Sequence, residues 1–420
     1  LCNKMHRTFR GFAAICGATL AVGGAAALSN SAFAQAPATP ATPAAPAAPA
    51  APASTPWTFQ GLFDAYYLYD GNSPKGVGTS QITGFDYNEK GSTPTLSLAE
   101  LNIAKAAPAA GGFGFKTTLI AGETDSLNNP GGNESRYQDV QQLYITLAAA
   151  SGAGIDVGKF YTPFGYEVVE SNANINYSRS FIFSYLLPVY HTGIRAYTQS
   201  YKGLVATGYI VKSISNFDLG SGDAEGVYDQ NKSYGYIGQL NYTAPSGKWA
   251  IIETYGGSHD GPNGQQDKLL LSDTDLTITP DALDTFGLNY TNRQDKVQVP
   301  GSSTATVADV ATPGSDVSAH ATGYAAYYQR QLAGPYKVGF RGEEINTKSL
   351  GQSPRIDSLT ATLSDQATKT LLLRLEYRHD DVKTTSFDPY GFPSFVSGNN
   401  AAGSAVQNTV SASAVFTFGP

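Results

Sequence analysis

The chain has 420 residues and a formal net charge of −7, an acidic balance that argues against a nucleic-acid binder working through phosphate charge. Its mean hydropathy is slightly negative. Beyond residue 34 its longest apolar stretch, 181–190, is broken by Ser184 and Pro188, far short of the roughly 20 residues of a helical membrane span. Both cysteines, Cys2 and Cys16, fall within the first 34 residues, so the remainder offers no disulfide framework and no thiolate metal site.

Residues 1–34 read as a cleaved signal peptide. Lys4, Arg7 and Arg10 make a basic start, 12–28 is a small-residue apolar run, and Ala32-Phe33-Ala34 is an A-x-A-like cleavage site. Met5 is the expected start, with 1–4 an overhang. Cys16 is a poor lipid anchor, because Ala14-Ile15 is a weak lipobox and most of the apolar run follows it. The leader holds no acid, so its removal takes the net charge from −7 to −10. Residues 35–56 form a Pro/Ala tract that forbids helix and sheet, an extended periplasmic linker rather than a binding segment.

From residue 57 the pattern changes to period two. In 370–380, TLLLRLEYRHD, Leu371, Leu373, Leu375 and Tyr377 share one parity, and Arg374, Glu376 and Arg378 the other. Tyr336, Val338 and Phe340 oppose Lys337, Arg341 and Glu343; Val410, Ala412, Ala414, Phe416 and Phe418 oppose Thr409, Ser411, Ser413 and Thr417. Leu101 and Ile103 oppose Glu100 and Asn102. Sixteen such segments are expected, near 57–70, 95–106, 112–123, 138–149, 154–161, 190–200, 203–213, 232–244, 248–258, 267–278, 283–294, 320–332, 335–346, 355–364, 369–380 and 407–418. Short links alternate with long ones, as periplasmic turns and extracellular loops do in outer-membrane barrels. The expected fold is therefore all-β: a transmembrane antiparallel up-and-down β-barrel over 57–420, of sixteen strands, or fourteen because 268–278 alternates poorly. Tyrosine clusters (Tyr66, Tyr67 and Tyr69; Tyr327 and Tyr328) are expected in the interfacial girdles.

The longest loop with aromatic and aliphatic content is 162–189. Phe181, Ile182, Phe183, Leu186 and Leu187 have no use in solvent, which predicts that the loop folds into the barrel and narrows it. Glu167, Glu170 and Arg179 are then the charges of a constriction. Arg195, Arg341, Arg374 and Arg378, with Glu343 and Glu376, are the expected pore-lining wall, setting a field across the lumen that favours small polar solutes or ions.

Within 158–193 the segments GKFYTPFGYE, NYSRS and PVYHTG, with the later LLLRLEYRHD, resemble the signature of the OmpL-like family of β-barrel porins. The resemblance covers essentially 57–418. It implies passive transport across an outer membrane, with outer-membrane lipid as surroundings and small polar solutes or ions as cargo. It also implies handling by the barrel-assembly machinery, although Gly419-Pro420 follow the aromatic Phe418 where such chains commonly end. Related porin architectures often form homotrimers. No cofactor, metal site or enzyme activity is expected: His191, His259, His320 and His379 lack metal-ligand spacing, and no nucleophile motif surrounds Ser178 beside His191. With a Pro/Ala tract before residue 57, an active-transport receptor with a plug domain is not expected. The competing class is a structural or adhesive barrel with a blocked pore.

Overall fold

A computed structural model describes residues 55–71, 87, 90–124, 139–214, 233–259, 268–298, 316–349, 353–383 and 404–419. The expected leader at 1–34, and the linker at 35–56 except its last two positions, lie outside the described residues. Sixteen antiparallel strands close into one barrel. In chain order they begin β1 (Trp57–Asp70), β2 (Thr95–Lys105), β3 (Gly111–Ala121), β4 (Val140–Ala149) and β5 (Gly154–Tyr161). After the long loop come β6 (Tyr190–Tyr197), β7 (Leu204–Val211), β8 (Gly235–Thr243), β9 (Trp249–Ser258), β10 (Lys268–Ile278) and β11 (Asp284–Gln298). The wall is completed by β12 (Asp316–Gln331), β13 (Tyr336–Ser349), β14 (Arg355–Asp365), β15 (Leu371–Lys383) and β16 (Ser404–Phe418). Sequential neighbours pair throughout, and β16 closes on β1 with Phe418 opposite Gly61 and Thr409 opposite Asp70. Closure leaves no sheet edge, which is what allows β-structure to stand in lipid.

Parity fixes inside and outside. Phe340, Leu373, Leu375, Tyr377 and Phe416 are exposed on the outer surface, while Arg341, Glu343, Arg374, Glu376 and Arg378 on the alternate positions are buried inside. At one end the links span only four to six residues, for example 150–153 and 332–335; by the rule of such barrels that end faces the periplasm. The tyrosine clusters divide by the same rule. Tyr67 and Tyr69 are exposed outside, but Tyr66 and Tyr327 point inward and are buried, so these two are not girdle residues.

The core is unusual for a water-filled barrel, since a large apolar cluster lies inside it. Phe181, Ile182, Leu186 and Leu187 of the long loop pack with inward-facing Val211, Ile237, Leu269, Leu271, Ala321, Ile345 and Ile356. That explains the poor alternation of β10: Leu269 and Leu271 face inward under the loop while Leu270 and Leu276 face out, so both parities are apolar.

Candidate functional site

Residues 162–189 leave the end of β5 and cross the lumen, carrying a 3-10 turn at Ser171–Ala173 and a π-helical turn at Ile182–Leu186. Irregular backbone out of water must find partners for its N–H and C=O groups. The inner wall supplies them. Pro163 O accepts from Gln239 Nε2 (2.9 Å) and Thr254 Oγ1 (3.2 Å), and Gly165 N donates to Asp273 Oδ2 (2.8 Å). Tyr177 N and Ser178 N donate to the two oxygens of Glu376 at 2.6 and 3.0 Å, and Phe181 N donates to Glu343 Oε2 at 2.7 Å. In the other direction Arg374 donates to Ser171 O (2.6 Å) and Asn174 O (2.8 Å), and Arg378 to Arg179 O (2.8 Å). Arg341 donates to Arg179 O at 3.2 Å and to Glu167 Oε1 at 2.8 Å.

Glycines seat the apolar side of the loop. A Cβ on Gly287 would collide with the Tyr166 ring, and one on Gly323 would lie 2.7 Å from Ile182 Cγ1. Tyr166 stacks on Tyr327 with ring centroids 4.4 Å apart. On the β1 side, Ser171 Oγ and Tyr177 Oη donate to the two oxygens of Asp64 at 2.6 and 3.1 Å. Burial pushes the Tyr166 and Tyr177 phenols above their ordinary range, so both stay neutral.

The residues singled out from sequence thus separate into two environments. Glu167 is buried, bonded to Arg341 and to Ser180 N at 2.6 Å. Arg179 is buried too, held by Tyr177 O at 2.7 Å and Val169 O, with its guanidinium 5.2 Å from the centre of the Tyr87 ring. Arg341, Glu343, Arg374, Glu376 and Arg378 all lie beneath the loop. Arg341 and Arg378 flank Glu343 at 3.5 and 3.8 Å, and Arg378 also meets Asp380 at 2.8 Å. This differs from the wetted, pore-lining wall expected of them. Their parity is inward, but they are buried beneath the loop.

Glu170 and Arg195 are different. Glu170 is half-buried and accepts from Tyr161 Oη at 2.7 Å. The Arg195 side chain keeps 20% exposure; its Nε donates to Asp156 Oδ2 at 2.7 Å, and its guanidinium lies 5.1 and 4.9 Å from the Tyr144 and Phe160 ring centres. Near them on the inner wall stand Lys116, half-buried, and Glu100, both close enough to interact electrostatically with Glu170. Neither was assigned a site role from sequence, although Glu100 already had inward parity and Lys116 shares a face with Thr118. His191 has no relation to Ser178: its Nε2 lies 3.0 Å from Thr162 Oγ1 and its Nδ1 2.9 Å from Ser213 O, whereas Ser178 Oγ lies 3.2 Å from Arg341 Nη2.

Residues 56–418 match the family described as Putative beta-barrel porin-2, OmpL-like. The chain belongs to that family. It is an outer-membrane porin, and both family and fold point to a channel rather than an enzyme. Among curated proteins none matches it. Solved structures of similar fold include an anion-selective porin from Comamonas acidovorans, at 12% identity and TM-score 0.55, covering 87% of this chain and 100% of that one. The in-vitro folded OmpT of Vibrio cholerae in its trimer form matches at 11% and 0.55 over 87% of this chain and 100% of its own. The outer membrane channel DcaP of Acinetobacter baumannii matches at 9% and 0.54, over 88% and 99%. At these identities the likeness is one of fold.

Proposed function

We propose that the loop over 162–189 narrows the lumen, and that small polar solutes or ions diffuse passively past it along the inner face of β2–β7. One observation carries this reading. The loop is bonded to the inner face of β1 and β8–β15 and packs on Leu98 and Ile120 near one end of β2 and β3, whereas Asn102, Lys116, Tyr144, Thr146, Arg195 and Thr207 on β2–β7 remain half-exposed. Passive diffusion needs only a wetted path whose width and charge filter the solute. Glu170 on the loop faces Lys116 and Glu100 on the wall, with Arg195 beside them, so the constriction charges are these four. Arg341, Arg374, Arg378, Glu343 and Glu376 act instead as clamps that hold the loop. Assembly as a homotrimer is part of the proposal, supported by the trimer form of the Vibrio cholerae OmpT whose fold is similar.

Single-channel recording of the purified protein in a planar bilayer tests this. Discrete conductance steps are expected, with an ion preference that responds to Glu170 and Arg195. Absence of steps at every voltage and salt concentration would favour a structural barrel with a blocked pore.

A further inference from the structure

Two charges of opposite sign stand on the outer side of the wall, where lipid would meet them. Outward parity on β9 runs through Trp249, Ile251, Glu253 and Tyr255, and the Glu253 side chain is exposed. It accepts from Thr274 Oγ1 at 2.5 Å, and among the described residues no cation meets it. On β5 the outward face carries Lys159, half-buried, next along from Val157 and paired with Leu143 and Thr192, which are exposed. Its Nζ donates to Val140 O at 2.8 Å and lies 3.7 Å from the centre of the Tyr190 ring. An ionisable side chain facing hydrocarbon is costly, so its partner is the first thing to seek.

The strands from one charge toward the other are also short. β5, β6 and β7 have eight residues each, whereas a tilted strand needs about 9–11 to cross the hydrocarbon. β11–β16 have 11 to 16. A wall lower than the bilayer on one side is relieved when another protein covers that side.

Level and direction identify the cover. Gly154, the first residue of β5, is in register through Tyr197, Thr207 and Gln239 with Thr254, the sixth of β9. At the usual tilt of about 40° that row rises roughly 12 Å over four strand spacings. Lys159 therefore stands roughly 13 Å above the level of Gly154, and Glu253, next below Thr254, roughly 10 Å. Rotation about an axis normal to the membrane preserves height, so residues that meet around a ring share a level. β5 and β9 lie a quarter of the circumference apart. In a closed ring of three, the two neighbours stand roughly 60° apart as seen from one copy. A copy with β7 toward the axis thus presents β5 to one neighbour and β9 to the other.

We propose that copies of this chain meet through the outer face of β5–β9, with Glu253 of one copy against Lys159 of the next. The inference rests on the homotrimer reading above and supplies its contact. The contact shields both charges from lipid and covers the three short strands at once.

No cysteine follows residue 16, so introduced thiols report alone. The test treats the full-length chain in membranes with a short bis-maleimide, after Lys159→Cys and Glu253→Cys together and after each singly. A link inside one chain leaves its mass unchanged, so larger bands report contacts between copies. Linked dimers and trimers are expected from the double variant and none from either single one. The mass of the unaltered protein in detergent is measured in parallel. A mass of one chain would overturn the homotrimer reading, and this contact with it. A mass of three chains without links from the double variant would overturn the contact alone. So would links from Glu253→Cys by itself, which set two β9 strands face to face. Charge exchange gives an independent reading. Glu253→Lys should lose the trimer band on unheated denaturing gels, and adding Lys159→Glu should restore it; failure to restore it would overturn the pairing.

Discussion

The two halves of the barrel wall have the same alternation and opposite fates. On β13 and β15 the inward charges Arg341, Glu343, Arg374, Glu376 and Arg378 are buried beneath the loop, and the Arg341 and Glu343 side chains have no exposure at all. On β3 and β6 the inward cations Lys116 and Arg195 stay half-exposed. The difference teaches that inward polarity in a barrel does not by itself mean pore lining. A charge on the lumen side serves solute or serves a loop, depending on whether irregular backbone is laid over it.

Mutations separate these two services. The largest effect is expected from Arg341→Ala, which strips the Ser178 carbonyl of its donor, leaves Glu167 to Ser180 N and the Arg179 carbonyl to Arg378, and gives Glu343 less compensation. Breaking a buried pair in this way costs about 3–5 kcal/mol. The loop should detach, raising mean conductance and current noise in bilayer recordings while the heat-modifiable gel shift of the barrel persists. Gly323→Leu should follow, since its side chain would displace Ile182; overpacking of this kind costs roughly 1–3 kcal/mol. Its signature is easier proteolysis within 162–189, with channel charge unaltered.

Two carboxylates of one loop sharpen the comparison further. Glu170→Gln should shift the reversal potential in a salt gradient toward anions, and Arg195→Ala should shift it toward cations. Glu167→Gln, whose charge is already met by Arg341, should move it far less. Equal shifts from Glu167 and Glu170 would erase the distinction between a sealed and a wetted half. The smallest effect is expected for Tyr161→Phe, which removes one hydrogen bond to Glu170 worth about 1 kcal/mol and should appear as slightly greater current noise.

Period-two alternation made the barrel legible, because each strand faces lipid on one side whatever happens inside. It carried even the weak strands β10 and β14, through the phase of short and long links. The partition of the inner charges was not legible. Nothing in the spacing of Arg341 or Arg378 tells whether the lumen beside them holds water or the carbonyls of residues 178 and 179. The available signal was the apolar inward parity of Leu269 and Leu271 in β10, which looks like noise until an apolar loop is known to need a seat. Tyr66 and Tyr327 fell to the same cause, an aromatic beside an aromatic in sequence standing on the opposite face.

The loop's partners also impose an order on assembly. Ser171 and Ser178 lie just after β5, but Arg374 and Glu376, which satisfy their backbone groups, come 203 and 198 residues later. Contacts of such long sequence separation form late, because a large loop must close first. Until β15 is in place, Phe181, Ile182 and Leu186 have only part of their seat, and a half-built wall exposes a sticky apolar segment. The loop is therefore also the segment of this porin most in need of protection on its way across the periplasm.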